Sequence, residues 1–375
     1  MDLLLNEQQR MLQSTIQDLL RRDFTKETLV AIDAGDVDGS HGWPALASTG
    51  LLGSLVPEEH GGAGGSFSDA GVVFEELGRG PVPGPHFSSG VFATLALREC
   101  GNDEQQAAHL PRIVTGDEVF AVAVTEPEYG WERGDVQLVA ERTSGGYTLS
   151  GVKLHVPDAV HATHLLVAAR TAGENVGLFI VSADAPGVAC RTLRGLSTGL
   201  GEVRLDGVTV GDEALLGGGP DAWDAFERAM LQATAVLSAY QVGGLESVFQ
   251  MCLEYSRTRR QFQQPIGRFQ RVQDHIIDIV NHLDAARWTT YEVLWKLDTG
   301  RPAESGVHMA AALASEGYYL ACNAAHDVHA GVGIVREYGL TLHTRMSRTL
   351  YHHLGSPRYH RRRVADALGL QPGLS

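Results

Sequence analysis

The sequence predicts an α+β multidomain protein: an N-terminal α-helical domain (residues 1–117), a middle β-barrel-like domain (118–219) and a C-terminal four-helix bundle (220–375). Three observations carry this. Apolar residues recur at helical spacing up to about residue 115, short β-rich runs with tight turns take over from about 118, and long helical patterns return beyond 220.

Residues 4–24 set Met11, Leu12, Ile16, Leu19, Leu20 and Phe24 at helical spacing among Gln, Arg and Asp, as an amphipathic helix does. Segments 41–55, 67–80, 85–100 and 103–115 read as further short helices, divided by the Gly/Pro clusters PEEHGGAGG (57–65) and GPVPGP (80–85). The runs FAVAVTEP, VQLVAERTSGGYTLSGVKLHV, THLLVAART, VGLFIVSA and VRLDGVTV are broken by turns such as Ser-Gly-Gly and Asp-Gly, and are expected as strands. Segments 221–254, 268–298, 304–331 and 334–353 carry long helical patterns, interrupted chiefly by the QFQQPIG loop and the Gly-Arg-Pro turn at 300–302. An α, β, α order is uncommon, because most flavin and nicotinamide enzymes alternate βαβ units. Gly331-Val332-Gly333 lacks the third glycine and the preceding strand of a dinucleotide fingerprint.

With 43% hydrophobic and 20% charged residues, the chain can bury a large core. Its net charge of −15 is spread along the sequence, which argues against broad nucleic-acid or anionic-membrane binding while leaving local arginines free to hold phosphates. Cys100, Cys190, Cys252 and Cys322 lie far apart with no metal-ligand spacing, so reduced core thiols, a cytoplasmic setting and no metal are expected. No secretory segment and no run of about 18 apolar residues is present, so no membrane span is expected. His352, His353 and His360, beside the basic RYHRRR (358–363), read as a solvated helix terminus, and the acidic residues of 101–118 as surface.

Seven segments agree in order and spacing with one family: VPEEHGGAGG (56–65), FEELGRG (74–80), LPRIVTGD (110–117), VTEPEYG (124–130), SGVKLHVPDA (150–159), SRTRRQFQQPIGRFQ (256–270) and HDVHAGVGIVREYGL (326–340). Over nearly its whole length the chain resembles the acyl-CoA dehydrogenases. The resemblance implies an FAD between the middle domain and the bundle, with its adenosine end reached by a neighbouring subunit. It assigns Val124 and Thr125 to the flavin's polar edge, although Thr125 taken alone reads as a strand-end cap. It lays His155, Val156 and Pro157 against the flavin ring, with His155 in place of an aromatic residue and Pro157 in place of a hydroxyl. Trp131 and Glu132 stand where the family keeps Ser and Asp near the thioester.

By the same resemblance Arg259 grips the pyrophosphate of a flavin bound mainly by another chain, with Phe262, Phe269 and Gln270 continuing the contact. Taken alone, these arginines read as a solvated basic helix end. Ala330 and Gly331 offer backbone amides to a phosphate, while Asp327 replaces a common glutamine and would repel it.

Desaturation of an acyl thioester needs a carboxylate within hydrogen-bond reach of the α-proton. The register of the glycine loop, carried through TRMSRTLYHHLGSP, puts Leu354 at the family's glutamate. Some members carry the base on the first long helix of the bundle instead; there this chain has Ala233, followed by Thr234 where an arginine holds CoA. Glu227, nearly two turns earlier, is an outside candidate.

The leading expectation is therefore a base-less subunit of a heteromeric, FAD-dependent acyl-CoA dehydrogenase, paired with a second dehydrogenase-like subunit. Such pairs resemble those that act on steroid side-chain CoA esters in bacteria, with an electron-transfer flavoprotein as acceptor. A self-sufficient enzyme with a relocated carboxylate, a flavin monooxygenase on the same fold, and a non-enzymatic scaffold are the alternatives.

Overall fold

The computed structural model describes residues 4–196 and 199–370. Its first domain is helical, with α1 (Glu7–Asp23), α2 (Lys26–Ala34), α3 (Trp43–Ser48), α4 (Phe67–Arg79), α5 (Thr94–Cys100) and α6 (Asp103–Thr115). Three of these starts are written locally. Asn6, Ser66 and Asn102 each cap the backbone three residues on, and Gln9, Asp69 and Gln105 bond back. Ile16 and Leu19 turn the buried face of α1 onto α4.

The segment 85–100 is not one helix. A wide π-helical stretch, Ser88–Ala93, precedes α5 and turns two serines inward. Ser88 Oγ donates to Asp158 at 2.7 Å, and Ser89 Oγ accepts from the Phe120 amide at 3.1 Å, so the stretch fastens the first domain to the second. The acidic stretch 101–118 is not all surface either. Glu118 is 4% exposed, its carboxylate 2.8 Å from His109 Nδ1 and 3.1 Å from Arg112, because its neighbours pack against α6.

The middle domain is two packed sheets. One holds β1 (Phe120–Ala123), β4 (His164–Arg170) and β5 (Val176–Ser182) in the order β1-β4-β5, with β1 parallel to β4. The other holds β2 (Ala140–Thr143), β3 (Gly146–Pro157), β6 (Val188–Thr192) and β7 (Leu200–Val210) in the antiparallel order β2-β3-β7-β6. Leu149, Val156, Val167, Phe179 and Val203 fill the space between them. The sequence reading passed over β6, a half-exposed edge strand whose Cys190 and Arg191 blur the alternation.

The bundle is built on α7 (Trp223–Thr258), α8 (Gln270–Asp298), α9 (Glu304–His329) and α10 (Leu340–Leu350), with β8 (Arg260–Gln261) and β9 (Gln264–Pro265) as a hairpin after α7, and α11 (Pro357–Ala367) closing the described chain. α4 crosses α7 at backbone contact. A Cβ on Gly243 would come within 1.8 Å of the Glu75 carbonyl, and one on Gly78 within 1.9 Å of that of Tyr240, so both positions require glycine. Among the described residues no helix is long and apolar enough to cross a membrane.

Candidate active site

At the join of β1 and β3 lies a pair the sequence reading did not single out. Lys153, fully buried, points inward with Nζ 2.7 Å from Glu126 and 3.0 Å from the Val124 carbonyl. Glu126 also accepts the amides of Gln137 and Leu138 at 3.0 Å each, so its charge is met on several sides. Burial pulls the Lys153 ammonium down to about 8 against the pull of Glu126. Thr125, also buried, donates its hydroxyl proton to the Leu154 carbonyl, which ties the strand end to β3.

A bulge in the β3–β7 register between Lys153 and Val156 turns His155 outward with φ +57°. Val156 points into the sheet core, and Pro157 ends β3 without an amide to offer. Tyr129, at φ +49°, sits edge-on to His155 at 5.5 Å, and its hydroxyl donates to the His352 carbonyl at 2.7 Å. That bond joins the segment after Thr125 to the loop carrying Leu354. Burial pushes the Tyr129 phenol up to about 12, so it stays a donor.

Leu354 is 4% exposed and holds φ +58°. Next to it, Gly355 is required, because a Cβ there would lie 2.4 Å from the Tyr359 ring. Leu354 and Glu227 line one cavity of about 140 Å³, together with Trp131, Met230, Thr234 and His308. Glu227, Met230, Leu231 and Thr234 follow the i, i+3, i+4, i+7 pattern, so one face of α7 supplies them. Ala233 turns into the core instead, and the Thr234 hydroxyl donates to the Met230 carbonyl at 2.7 Å. Glu227 is not a bare carboxylate: Arg363 holds it at 2.8 Å and Glu304 at 3.2 Å.

Of the histidines at the chain's basic end, His352 is exposed as expected, but His353 is half-buried and His360 is enclosed. His360 is 2% exposed, its Nδ1 lies 3.0 Å from that of His308, and Arg361, Arg362 and Arg363 are all ion-paired. α11 packs against α9, which is why its polar residues are enclosed.

The remaining expected contacts gather at the other end of α7. Phe262 and Gln263 form the tip of the β8–β9 hairpin with φ +49° and +66°, as a two-residue I′ turn demands. Phe262 is 87% exposed and edge-on to Phe269 at 6.0 Å, with Gln270 exposed at the start of α8. Arg259 is exposed, and its guanidinium has no partner among the described residues. Tyr255 stacks on His329 at 4.6 Å, bringing this hairpin beside Asp327, Ala330 and Gly331, all exposed. A Cβ on Gly331 would meet nothing within 4 Å, so its backbone is open to approach.

The expected flavin contacts thus form two patches: Val124, Thr125 and His155 to Pro157 at one, Arg259 to Gln270 with Asp327 to Gly331 at the other. The first lies beside the middle of α7, since Pro157 shares a cavity with Leu237 and Tyr240, and the second beyond the helix's end at Thr258. An unspent arginine, two phenyl rings and an open glycine backbone fit the phosphate end of FAD. The Thr125 side does not fit as well, since its hydroxyl proton is committed, Pro157 has no amide and Tyr129 reaches across to the Leu354 loop.

The descriptions "Acyl-CoA dehydrogenase, N-terminal domain", "middle domain" and "C-terminal domain" match residues 6–117, 121–208 and 222–369. Acyl-CoA dehydrogenase FadE27 of Mycobacterium tuberculosis is 32% identical over 309 residues, covering 79% of each chain. The ChsE4-ChsE5 complex from Mycobacterium tuberculosis has a TM-score of 0.87 at 28% identity, covering 100% of both chains. A variant of the Tcur3481-Tcur3483 steroid ACAD has a TM-score of 0.85 at 29% identity, covering 97% of this chain and 98% of that one. Helical, β and helical domains in this order, the family's motifs in register and these likenesses lead to one conclusion: the chain belongs to the acyl-CoA dehydrogenase family of FAD-dependent oxidoreductases.

Proposed function

We propose that the chain is a subunit of a heteromeric acyl-CoA dehydrogenase, lacking a proton-abstracting base of its own and completing the flavin site of a second, related subunit. The observation that carries this is Leu354: an aliphatic side chain on the loop where the family keeps its carboxylate, with no lone pair to take a proton. FAD, when bound, supplies the hydride acceptor. This chain's part is positional. Arg259 presents an unspent guanidinium fork to a diphosphate beyond its own surface, and Phe262 offers a ring beside it. At the opposite patch, Tyr129 and Leu354 close the loop and keep water out.

The likeness to the ChsE4-ChsE5 complex and to the Tcur3481-Tcur3483 steroid ACAD supports a second subunit and a bulky thioester such as a steroid side-chain CoA ester. An electron-transfer flavoprotein as acceptor follows from the family. Four free cysteines suit the cytoplasm.

Glu227 favours a second reading, a self-sufficient enzyme with a relocated base, since it shares the cavity with Leu354. Its pairing with Arg363 weighs against that role, because the ion pair already occupies the carboxylate and would have to open before the group could meet a substrate.

The test is expression of the chain alone and with a companion dehydrogenase-like subunit, reading flavin absorbance and dye reduction by acyl-CoA thioesters. Bound flavin and turnover are expected only in the pair. Normal turnover by the chain alone overturns the proposal, and its loss in Glu227→Gln would then identify the base.

A further inference from the structure

Two imidazoles and a carboxylate meet where the first domain joins the middle one, and none of them belongs to either flavin patch. His109 comes from α6, Glu118 from the link into β1, and His164 from the first residue of β4. Each offers one ligand atom, and these three atoms lie within 4.8 Å of one another. No spacing along the chain hints at the group, because its members come from three separate elements.

The surroundings fix the group in place. Parallel pairing sets Phe120 of β1 opposite His164 of β4, and their rings stack at 5.1 Å. His109 stands edge-on to Phe120 at 5.4 Å and to His164 at 5.6 Å. Thr163 Oγ1, which accepts the Val119 amide at 3.0 Å, also lies 3.0 Å from His164 Nδ1. Glu118 divides its oxygens: Oε2 is 2.8 Å from His109 Nδ1, and Oε1 is 3.1 Å from Arg112. A proton shared between His109 and Glu118 satisfies those two groups and does nothing for His164. A divalent cation would satisfy all three at once.

The dimensions and the donor types suit such an ion. Zinc binds imidazole nitrogen and carboxylate oxygen at about 2.0–2.2 Å, which in a tetrahedral site sets ligand atoms about 3.3–3.6 Å apart. The group needs only side-chain rotations to close from its present span. Both histidines are half-buried rather than sealed, with 18% of the His109 side chain exposed, so an ion can enter from the surface. Arg112, the one cation at hand, has 65% of its side chain exposed and is free to withdraw into water. Two nitrogens and one oxygen favour zinc and its neighbours over calcium or magnesium, which take oxygen ligands. A water would fill the fourth position.

We propose that His109, Glu118 and His164 bind one zinc-class divalent cation, which ties α6 to the β1–β4 pair and so fastens the first domain to the middle domain. The inference is independent of the flavin and of which subunit carries the base.

The test uses the full chain without an affinity tag, stripped of metal by a chelator, alone and with its companion subunit. It is titrated with Zn2+ by calorimetry and with Co2+ by visible absorption. One ion per chain is expected, with the cobalt bands of a four-coordinate site. His164→Leu, which keeps an apolar partner for Phe120, should lower Zn2+ affinity by more than the roughly 10- to 100-fold typical of losing a group that merely supports a ligand. Should that variant not fold, His109→Gln on α6 carries the same test. Zn2+ should also raise the unfolding midpoint of the unaltered chain, reversibly by chelator, and leave that of His164→Leu unchanged. Absence of saturable uptake near one ion per chain, affinity undiminished in the histidine variants, or binding without a rise in the midpoint overturns the proposal. Turnover by the chain alone would defeat the heteromeric reading and leave these outcomes untouched.

Discussion

Two regions of the molecule differ in how they spend their polar groups. On the side of the Leu354 loop and the β1–β3 join, most reactive side chains are committed within the chain: Thr125 to Leu154, Tyr129 to His352, Glu227 to Arg363, Lys153 to Glu126. Beyond the last turn of α7 the reverse holds, with Arg259 unpaired among the described residues and Phe262 87% exposed at a hairpin tip. Exposing a large apolar ring beside an unpaired cation gains nothing for an isolated chain, so that end is shaped for something outside it. The committed end has traded availability for stability.

The largest expected effect breaks the committed end. Lys153→Met leaves Glu126 buried without its cation and should cost about 3–5 kcal/mol of folding free energy, read by denaturant unfolding. A loss below about 1 kcal/mol would mean that the pair does not hold this end. Next, Arg259→Ala in the assembled enzyme should weaken FAD binding by about 10- to 100-fold, as befits hydrogen bonds to a charged group, while shifting unfolding by less than about 0.5 kcal/mol. Fluorescence titration checks the first figure. A stability loss with FAD affinity intact would reverse the contrast between the ends.

Acid sharpens the same contrast. Burial holds His86 and His353, both near the committed end, at about 4, below the ordinary 6.5. The unfolded chain binds more protons between those values, so stability is full above pH 6.5 and falls as pH drops toward 4, by on the order of 1 kcal/mol per unit for each ring. Unfolding scans at stepped pH should show this slope, and it should become shallower by the share of two rings in the double variant His86→Phe, His353→Phe, the remainder coming from His308, His343 and His360. The smallest effect belongs to Phe262→Ser. It should leave unfolding within about 0.5 kcal/mol and lower FAD retention a few fold, because the ring touches little of its own chain.

Much of the open end was legible in the sequence. The QFQQPIG segment reads as a loop between two long helices, and the structure makes that loop a short hairpin with a projecting ring. Legible too were the helices α1, α4 and α6, and Leu354, since a missing carboxylate is visible in any register that holds. The committed end was less legible. Lys153 in an alternating strand reads as outward, and only Glu126, 27 residues earlier, makes its burial tolerable. Glu118 and His360 were assigned to solvent on charge and position, yet α6, α9 and α11 enclose them.

By itself the sequence determined most of the long helices and the inner strands, where the chain changes from helical to β texture and back, and that no carboxylate stands at residue 354, because periodicity and residue identity are local properties. The tertiary structure alone decided that Glu227 and Leu354 share a cavity, that His308 and His360 face each other in the interior beside it, and that the hairpin bearing Arg259 comes beside Asp327 and Gly331. These depend on contacts between segments distant in the chain, and burying a polar group is settled only when its partner arrives from elsewhere.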